Sequence, residues 1–330
     1  MKEKRVSLQD IATSVGVSKA TVSFVLNGKG DEFNISKEKQ RLIKEKAREL
    51  LYVPNFFAKS LRQTTTKTIG LVLSDISNPF YAELCKVIQE QLHDKGYNTF
   101  FVNTNDDLEI EKSLMRELIQ RSIDGMIISP CNRIDELIPI LHETHIPVVF
   151  TDRPGDENAD FVGVDNTSEA AKSIQQFKVK PKKIAVIIPH QPLLMTLEQR
   201  VDGLREGCEK AGIDFEIITS VENNKQFSQL ISESLKTGTD AMIPINNASS
   251  FQTLLALKQL NASIPSDVKI ICFDDSIAFE LMQPQISAIR QPIKEIAKES
   301  VDRLLERLST PEKPGKHLLL NCEFVGRGSH

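Results

Sequence analysis

The chain lacks the features that mark membrane, secreted and metal-dependent proteins. Its longest wholly apolar run covers only residues 184–188, whereas a membrane-spanning helix needs about 20 apolar residues. The basic first residues lead into polar ones, so we expect no export signal and a cytoplasmic location without a membrane partner. Five scattered cysteines form no Cys-x-x-Cys motif, which favours reduced thiols over disulfides or a metal site.

Motifs of common enzyme classes are also missing. The chain contains no G-x-G-x-x-G, G-x-x-x-x-G-K-[ST] or G-x-S-x-G segment. Its six histidines never combine with Cys or carboxylate side chains at zinc-site spacing. Asp274 and Asp275 are adjacent at a predicted strand end, so their side chains should point in opposite directions and not share acid–base work. We expect no catalytic residue and no cofactor.

Charge is divided unevenly along the 330 residues, a length that predicts two or three domains. Residues 1–68 carry 14 basic and 7 acidic side chains, whereas the remainder carries 27 basic and 38 acidic ones. The formal net charge of −4 therefore hides a basic N-terminal segment on an acidic body. A basic segment of this size favours a polyanion as its partner.

The basic segment begins with the pattern of a helix-turn-helix, whose second helix can enter the DNA major groove. Ser7 precedes an apolar stripe at helical spacing, Gly16 supplies a turn, and Ser18 is placed to cap a second helix that ends at Asn27. The stripe comprises Leu8, Ile11, Ala12 and Val15. A third helix is predicted from about residue 36 to 51, stopped by Pro54.

The body alternates between apolar runs and helical segments, which predicts parallel α/β sheets covered on both faces. We predict strands near 69–74, 97–102, 125–128, 146–150, 184–188, 215–221, 241–245 and 268–273. We predict helices near 79–95, 109–121, 134–144, 167–177, 196–211, 225–236, 248–261 and 292–308. Sixteen elements divide naturally into two lobes facing a cleft.

Ligands of open α/β sheets bind beyond the carboxyl ends of the strands, so polar residues near these ends are candidates. Polar groups there could satisfy sugar hydroxyls, and an aromatic ring could stack on an apolar face. The candidates are Asp75, Phe80, Asn103, Ser129, Asp152, Arg153, Thr196, Arg200, Asn247 and Asp274.

The sequence resembles the lactose-repressor family of bacterial transcription regulators over essentially its whole length. The resemblance in the head lies in VSLQDIA (6–12), VGVSKATVS (15–23), VLNG (25–28), YVPN (52–55) and AKSLR (58–62). In the body it lies in IGLV (69–72), SNPF (77–80), VVFTDR (148–153), VDN (164–166), FDD (273–275) and IRQP (289–292).

The resemblance implies an α/β protein with an all-α helix-turn-helix head at residues 1–54 and a hinge helix and linker at 55–68. It implies a two-lobed body of the periplasmic-binding-protein type I kind at 69–330. The expected lobes are 69–163 with 290–316, and 164–289 with 317–330. The implied function is a dimeric repressor that binds a pseudo-palindromic operator in double-stranded DNA and responds to a small metabolite, a sugar or sugar derivative.

The resemblance also implies roles for individual side chains of the head. The positions that read bases in this family correspond to Lys19, Ala20 and Phe24. Phe24 departs from the polar residue of many relatives, because a phenyl ring cannot form a bidentate contact with guanine. Phosphate-contacting or capping roles are expected for Ser7, Ser18, Thr21, Ser23, Asn27 and Lys29. Hinge contacts in the minor groove are implied for Asn55, Ala58, Lys59, Leu61 and Arg62, with Leu61 as an apolar wedge.

In the body, the resemblance favours Arg200, Asp274 and Phe80 as effector contacts. Asn247 stands where relatives usually have Asp, and Leu194 stands where some have Arg. These departures keep open an alternative, a DNA-binding regulator with a degenerate pocket that is controlled by a partner protein. A carbohydrate enzyme with an accessory DNA-binding head is a further alternative, for which no motif is present.

The wedge predicted at Leu61 can be tested directly. Replacing Leu61 by Ala should weaken binding to the specific operator about tenfold or more, because the wedge acts only where DNA is bent. Binding to bulk DNA, which depends on phosphate charge, should change little. Titrations of both duplexes at one salt concentration measure the two effects, and equal losses would contradict the wedge.

Overall fold

The computed structural model describes residues 6–52, 65–131, 134–190 and 194–330. It divides into two units, Met1–Thr64 and Thr65–His330, which are described separately here. The predicted hinge residues, Asn55, Ala58, Lys59, Leu61 and Arg62, lie outside the described residues, so their roles stay predictions.

The first unit contains three helices, α1 (Leu8–Val15), α2 (Lys19–Leu26) and α3 (Lys37–Glu49). The predicted caps are confirmed, since the Ser7 and Ser18 side chains accept hydrogen bonds from the backbones of Asp10 and Thr21. Gly16 ends α1 in the left-handed conformation, with φ of 68°. A small apolar core joins the three helices: Ile11, Ala12, Val22, Val25, Ile43 and Ala47.

The third helix ends about two residues earlier than predicted, and Pro54, the predicted stop, lies outside the described residues. It stops at Glu49, and Leu51 then takes a positive φ of 50°. The chain leaves the helix because the Tyr52 backbone N–H donates to the Ala47 carbonyl, which satisfies an acceptor at the helix end.

The second unit contains two six-stranded sheets with the same strand order. The first sheet contains β1 (Thr68–Leu73), β2 (Asn98–Asn103), β3 (Gly125–Ile128), β4 (Val148–Thr151), β5 (Asp160–Val164) and β11 (His317–Leu320). The second contains β6 (Lys183–Ile188), β7 (Asp214–Thr219), β8 (Ala241–Pro244), β9 (Lys269–Phe273), β10 (Ser287–Arg290) and β12 (Glu323–Val325). Neighbouring strands follow the order β11-β5-β4-β3-β1-β2 in the first sheet and β12-β10-β9-β8-β6-β7 in the second. All pairs are parallel except β10 with β12.

Helices cover both faces of each sheet, and apolar cores lie on the two sides. The helices α4 to α12 are Pro79–Asp94, Leu108–Gln120, Ile138–Thr144, Asn166–Ser173, Met195–Ala211, Asn224–Lys236, Asn247–Gln259, Ile277–Glu280 and Ile293–Ser309. The segments predicted as single helices near 134–144 and 167–177 each include a 3₁₀ turn, at Ile134–Glu136 and Ile174–Gln176. Gly203 lets α7 and α8 approach closely, because a Cβ there would lie 2.1 Å from the Thr167 carbonyl oxygen.

The chain passes between the lobes three times. It leaves the first sheet after Val164, returns after Arg290, and crosses again between Leu320 and Glu323. The expectation that residues 317–330 all belong to the second lobe is therefore wrong. Residues 317–320 pair with β5 of the first sheet, and this hydrogen-bonded pairing places the last crossing after Leu320.

Candidate functional site

One face of α2 is turned away from the core of the head. Val22 and Val25 are buried, and the opposite face carries Ala20 and Phe24, one helical turn apart. Ser18, Lys19 and Ala20 are all exposed at the start of the helix. Helix N-termini attract phosphate through their free N–H groups and dipole, so this end can approach DNA.

Several predicted contact residues of the head already hold the backbone in place. Ser18 Oγ lies 2.8 Å from Thr21 Oγ1 and caps α2. Asn27 Nδ2 donates to the Ser23 carbonyl at 2.8 Å, which closes the end of the helix. Ser7 forms a capping box with Asp10. Their capping roles are established, and their DNA contacts stay predictions.

The predicted contact residues Lys19 and Lys29 are exposed, as a phosphate-binding surface requires. Within the described part of the head, Lys19 forms no ion pair, and Lys29 only approaches Glu32 at 4.0 Å. Phe24 makes a contact that was not predicted. Its ring stacks on Phe33, with centroids 3.6 Å apart and planes 11° apart. Phe33 lies in the loop before α3, and periodicity gave no signal for it.

In the first lobe, polar side chains converge on Asp152, directly after β4. Asp152 has a positive φ of 62°, and its backbone N–H donates to the Val162 carbonyl. Tyr81 Oη donates to its carboxylate at 2.6 Å, and Ser129 Oγ lies 3.3 Å from the same oxygen. All three residues are buried. Tyr81 is not among the residues predicted from the sequence.

Arg153 is buried beside this group and is held by loops that follow three strands. Its guanidinium pairs with Asp106 and donates to the Pro130 carbonyl at 3.0 Å and to Ser74 Oγ at 3.2 Å. Its Nε lies 3.6 Å from the Asp152 carboxylate and finds no hydrogen-bond partner among the described residues. The charge of Arg153 is thus balanced inside the lobe.

The second lobe has a corresponding group around Arg200, which is 3% exposed. Arg200 donates to Asn166 Oδ1 and to the Ile245 carbonyl, both at 2.8 Å, and to Asp274 at 3.1 Å. The second carboxylate oxygen of Asp274 accepts from Gln291 at 2.7 Å. The Arg200 guanidinium lies 3.8 Å from the ring centroid of Phe273. Arg200 and Asp274 therefore lie together as predicted, whereas Asn166 and Gln291 were not foreseen.

Asn247 is the most unusual polar residue of this lobe. It begins α10, directly beyond β8, and is 1% exposed. Neither its Oδ1 nor its Nδ2 has a hydrogen-bond partner in the described part of the chain. A buried amide left unpaired costs about 1–3 kcal/mol, so such a group indicates a role for an external partner.

The two polar groups lie within electrostatic reach of each other. Burial raises the pKa of Asp152, while the nearby Arg153 charge and the hydrogen bond from Tyr81 lower it. Arg200 and Asp274, which belong to the other lobe, also act on the pKa of Asp152. Burial, together with the negative charge of Asp152, raises the pKa of Tyr81. The charges of the two polar groups therefore act on each other across the lobes.

The remaining strand-end candidates occupy supporting positions. The Asp75 carboxylate accepts from the Ser77 backbone and hydroxyl, both at 2.9 Å. Asn103 accepts from the Ile76 backbone at 2.7 Å. Phe80 packs in the core of the first lobe, and Thr196 is buried at the start of α8. Effector contacts of these residues stay predictions.

The expected opposite orientation of the two adjacent aspartates is confirmed. Asp274 faces Arg200, whereas Asp275 faces Arg290 and Arg327, at 2.6 Å and 2.8 Å. The pKa of Asp275 is lowered, because hydrogen bonds from these arginines outweigh its burial. All five cysteines are free thiols. The described residues contain no group of three metal-ligating side chains and no helix able to cross a membrane.

Comparisons with known proteins match both parts of the chain. Residues 7–55 match the family described as bacterial regulatory proteins, lacI family. Residues 66–327 match periplasmic binding proteins and the sugar binding domain of the LacI family. The ribose operon repressor of Escherichia coli K12 is 28% identical over 338 residues, which cover 98% of this chain and 99% of the relative.

Solved structures show the same architecture. The lac repressor dimer bound to operator and the anti-inducer ONPF aligns with a TM-score of 0.83 and 20% identity, covering 99% of each chain. A periplasmic binding protein/LacI regulator from Alkaliphilus metalliredigens, complexed with D-xylulofuranose, aligns with a TM-score of 0.69 and 25% identity. It covers 80% of this chain and 98% of its own.

The raised pKa of Asp152 predicts a pH dependence of stability. An acid whose pKa is higher in the folded state binds protons more tightly there, so its contribution weakens as pH rises from about 4 through the raised pKa. Replacing Asp152 by Asn should remove this pH-dependent loss of stability. The free energy of unfolding of wild type minus that of the variant should therefore fall with pH across this window.

The control is Asp240, whose pKa is lowered because backbone hydrogen bonds from Lys183 and Lys182 and a side-chain bond from Lys269 outweigh its burial. For the Asp240→Asn variant the same difference should stay nearly constant above about pH 5, because the carboxylate is ionised there in both the folded and the unfolded state, and it should fall only as the pH drops to about 4 and below. Chemical unfolding between pH 4 and 8 measures both. A difference that does not fall for Asp152 would contradict the interpretation of its burial.

Proposed function

The chain belongs to the lacI family of bacterial regulatory proteins, and from that premise we propose how its two parts work together. As a homodimer, the protein binds a pseudo-palindromic operator through its two heads and represses transcription in the cytoplasm. A small neutral carbohydrate between the lobes changes its affinity for the operator. The polar groups hold a ligand and perform no catalysis.

The unpaired amide of Asn247 is the observation that carries the effector proposal. A sugar hydroxyl both donates and accepts, so one or two hydroxyls can satisfy Oδ1 and Nδ2 together. The ligand class follows from charge balance. Arg153 pairs with Asp106 and Arg200 pairs with Asp274, so neither of these two buried arginines of the described residues is left free for an anionic ligand. The D-xylulofuranose of the Alkaliphilus structure belongs to the same class.

Exposed apolar side chains of the second lobe support a homodimer. Phe251 and Leu255 lie one turn apart on α10, and Ile277 and Leu281 lie at the two ends of the neighbouring α11. All four are exposed, Leu281 to 82%. The Phe251 ring lies 5.6 Å from the Phe279 ring, so the two helices adjoin. Apolar groups clustered on a surface mark an interaction site, and a second copy of the chain would cover them symmetrically.

Binding of the ligand is coupled to DNA through the relative position of the lobes. Three chain crossings join the lobes, and the polar groups of both face one region. A ligand that bridges them favours one arrangement and so changes the spacing of the paired heads. Its effect on operator affinity equals its differential affinity for the two arrangements.

Substitutions of the adjacent Asp274 and Asp275 can separate a role in effector binding from a role in fold stability. We expect Asp274→Ala to abolish the response of DNA binding to ligand while operator affinity changes less than about threefold. The ligand comes from a thermal-shift panel of sugars and nucleosides, in which binding raises the melting temperature by mass action. Operator titrations with and without that ligand then measure the response.

The control is Asp275→Asn, which removes charge from the pairs with Arg290 and Arg327 but leaves the Arg200 group intact. It should lower stability and preserve the response. An unchanged ligand response in Asp274→Ala would remove Asp274 from the site. A wild-type protein that binds its operator and responds to no compound would favour control by a partner protein.

The homodimer is tested at Leu281. Replacing this exposed leucine by Glu should leave the fold intact but shift a dimer at micromolar concentration toward monomer, because a charge would be buried at the interface. Sedimentation equilibrium measures the shift. Leu319→Glu, at a 54% exposed leucine of β11, is the matched control and should stay dimeric. Dimers in both variants would exclude this surface.

A further inference from the structure

We propose that Phe24 and Phe33 form a stacked aromatic platform that reads thymine methyl groups in the major groove of the operator. The proposal rests on DNA binding by the head, and it assigns the specificity to a pair of rings. One of them, Phe33, lies outside the helix-turn-helix, in the loop between α2 and α3.

The geometry of the pair is unusual for a protein surface. The two rings lie 3.6 Å apart and within 11° of parallel, yet Phe33 is 50% exposed and Phe24 is only partly buried. Neither ring belongs to the apolar core of the head. Two phenyl rings stacked face to face in water retain outer apolar surface, and covering this surface on binding is favourable.

The loop holds Phe33 firmly in this position. The Lys29 backbone N–H donates to the Phe24 carbonyl at 2.8 Å, which ties the loop to α2. The buried side chain of Gln40 donates to Asp31 Oδ1 and to the Ile35 carbonyl, both at 2.8 Å. Gly30 packs so closely on Gln40 that a Cβ there would lie 2.5 Å from its side chain. Because the loop is pinned on both sides of Phe33, the platform is ordered before it meets a partner.

Charge identifies the partner as DNA. Phe24 shares its helix face with Ala20, next to the exposed Lys19. The acidic residues beside Phe33 are balanced, since Asp31 pairs with Lys37 at 2.7 Å and Glu32 approaches Lys29 at 4.0 Å. Residues 1–68 as a whole carry an excess of seven basic side chains. This surface attracts a polyanion, and the pair of rings gives it an apolar feature beside Lys19.

The chemistry of the major groove then selects the base. A phenyl ring carries no hydrogen-bond donor or acceptor, so it cannot read the polar edges of guanine, cytosine or adenine. The C5 methyl of thymine is the apolar group that an unmodified duplex presents there. Removing one methyl from such a contact should cost about three- to tenfold in affinity.

Uracil substitution tests the proposal, because uracil lacks only this methyl. The full-length protein first selects its operator from random duplexes. Each thymine of that operator is then replaced by uracil, and dissociation constants are measured at one salt concentration. For the wild type we expect a three- to tenfold loss at one or two thymines in each half-site. The same substitutions should have no effect on Phe24→Ala or Phe33→Ala.

Two further variants keep the outcome decisive. Lys19→Ala should weaken binding to every duplex. It should leave the affinity lost on methyl removal unchanged, because the Lys19 side chain does not form the contact with the thymine methyl group. Phe33→Leu should retain part of that loss. If Phe24→Ala does not fold, Phe33→Ala alone provides the test, because the Phe33 side chain is already 50% exposed. Equal uracil effects in wild type and Phe33→Ala would overturn the platform. A protein that selects no operator would instead refute the proposed function.

Discussion

Among the described residues, each lobe of the body buries one arginine at the carboxyl ends of its strands, and the structure of the site depends on how that charge is satisfied. Removing a partner from a buried charge costs about 3–5 kcal/mol. Arg153 therefore fixes the loops that contain Ser74, Asp106 and Pro130, and Arg200 fixes Asn166 and the end of β8. These contacts use most of the guanidinium donors. The two arginines therefore hold the loops of the site in position. The amide of Asn247 has no hydrogen-bond partner among the described residues, and the proposed ligand would supply one.

In each lobe, the aspartate beside the buried arginine has the same backbone geometry. Asp152 and Asp274 each follow the fourth strand of their sheet, each has a positive φ, and each donates its N–H to the adjacent strand. The left-handed conformation turns the chain sharply, so that the aspartate carboxylate and the following loop return toward the strand ends. Two similar edges face each other as a result, and a ligand that contacts both must respond to their separation.

The sequence predicts what depends on neighbouring residues and misses what depends on tertiary contacts. Ser7 and Ser18 were identified as caps because a cap needs only a hydroxyl and a helix that follows. The eight predicted strands were located because buried parallel strands are continuous apolar runs, whereas β5, β10, β11 and β12 were not predicted as strands. Tyr81 was missed because a half-apolar residue on α4 looks like core until its hydroxyl meets Asp152. The lobe of residues 317–320 was assigned wrongly because a short strand contains no signal for the sheet that it joins.

If each head reads thymine methyl groups as proposed, it discriminates weakly between sequences, and operator specificity then depends on the proposed dimer. The helix α2 has eight residues, so at 1.5 Å per residue it spans about 12 Å and meets only a few base pairs. An apolar contact with a methyl contributes roughly 1 kcal/mol, less than a bidentate guanidinium–guanine pair can. A head that reads DNA in this way depends on a second half-site for its specificity. Operator affinity then varies steeply with the spacing of the two heads, and a ligand needs to shift the lobes only slightly to change it.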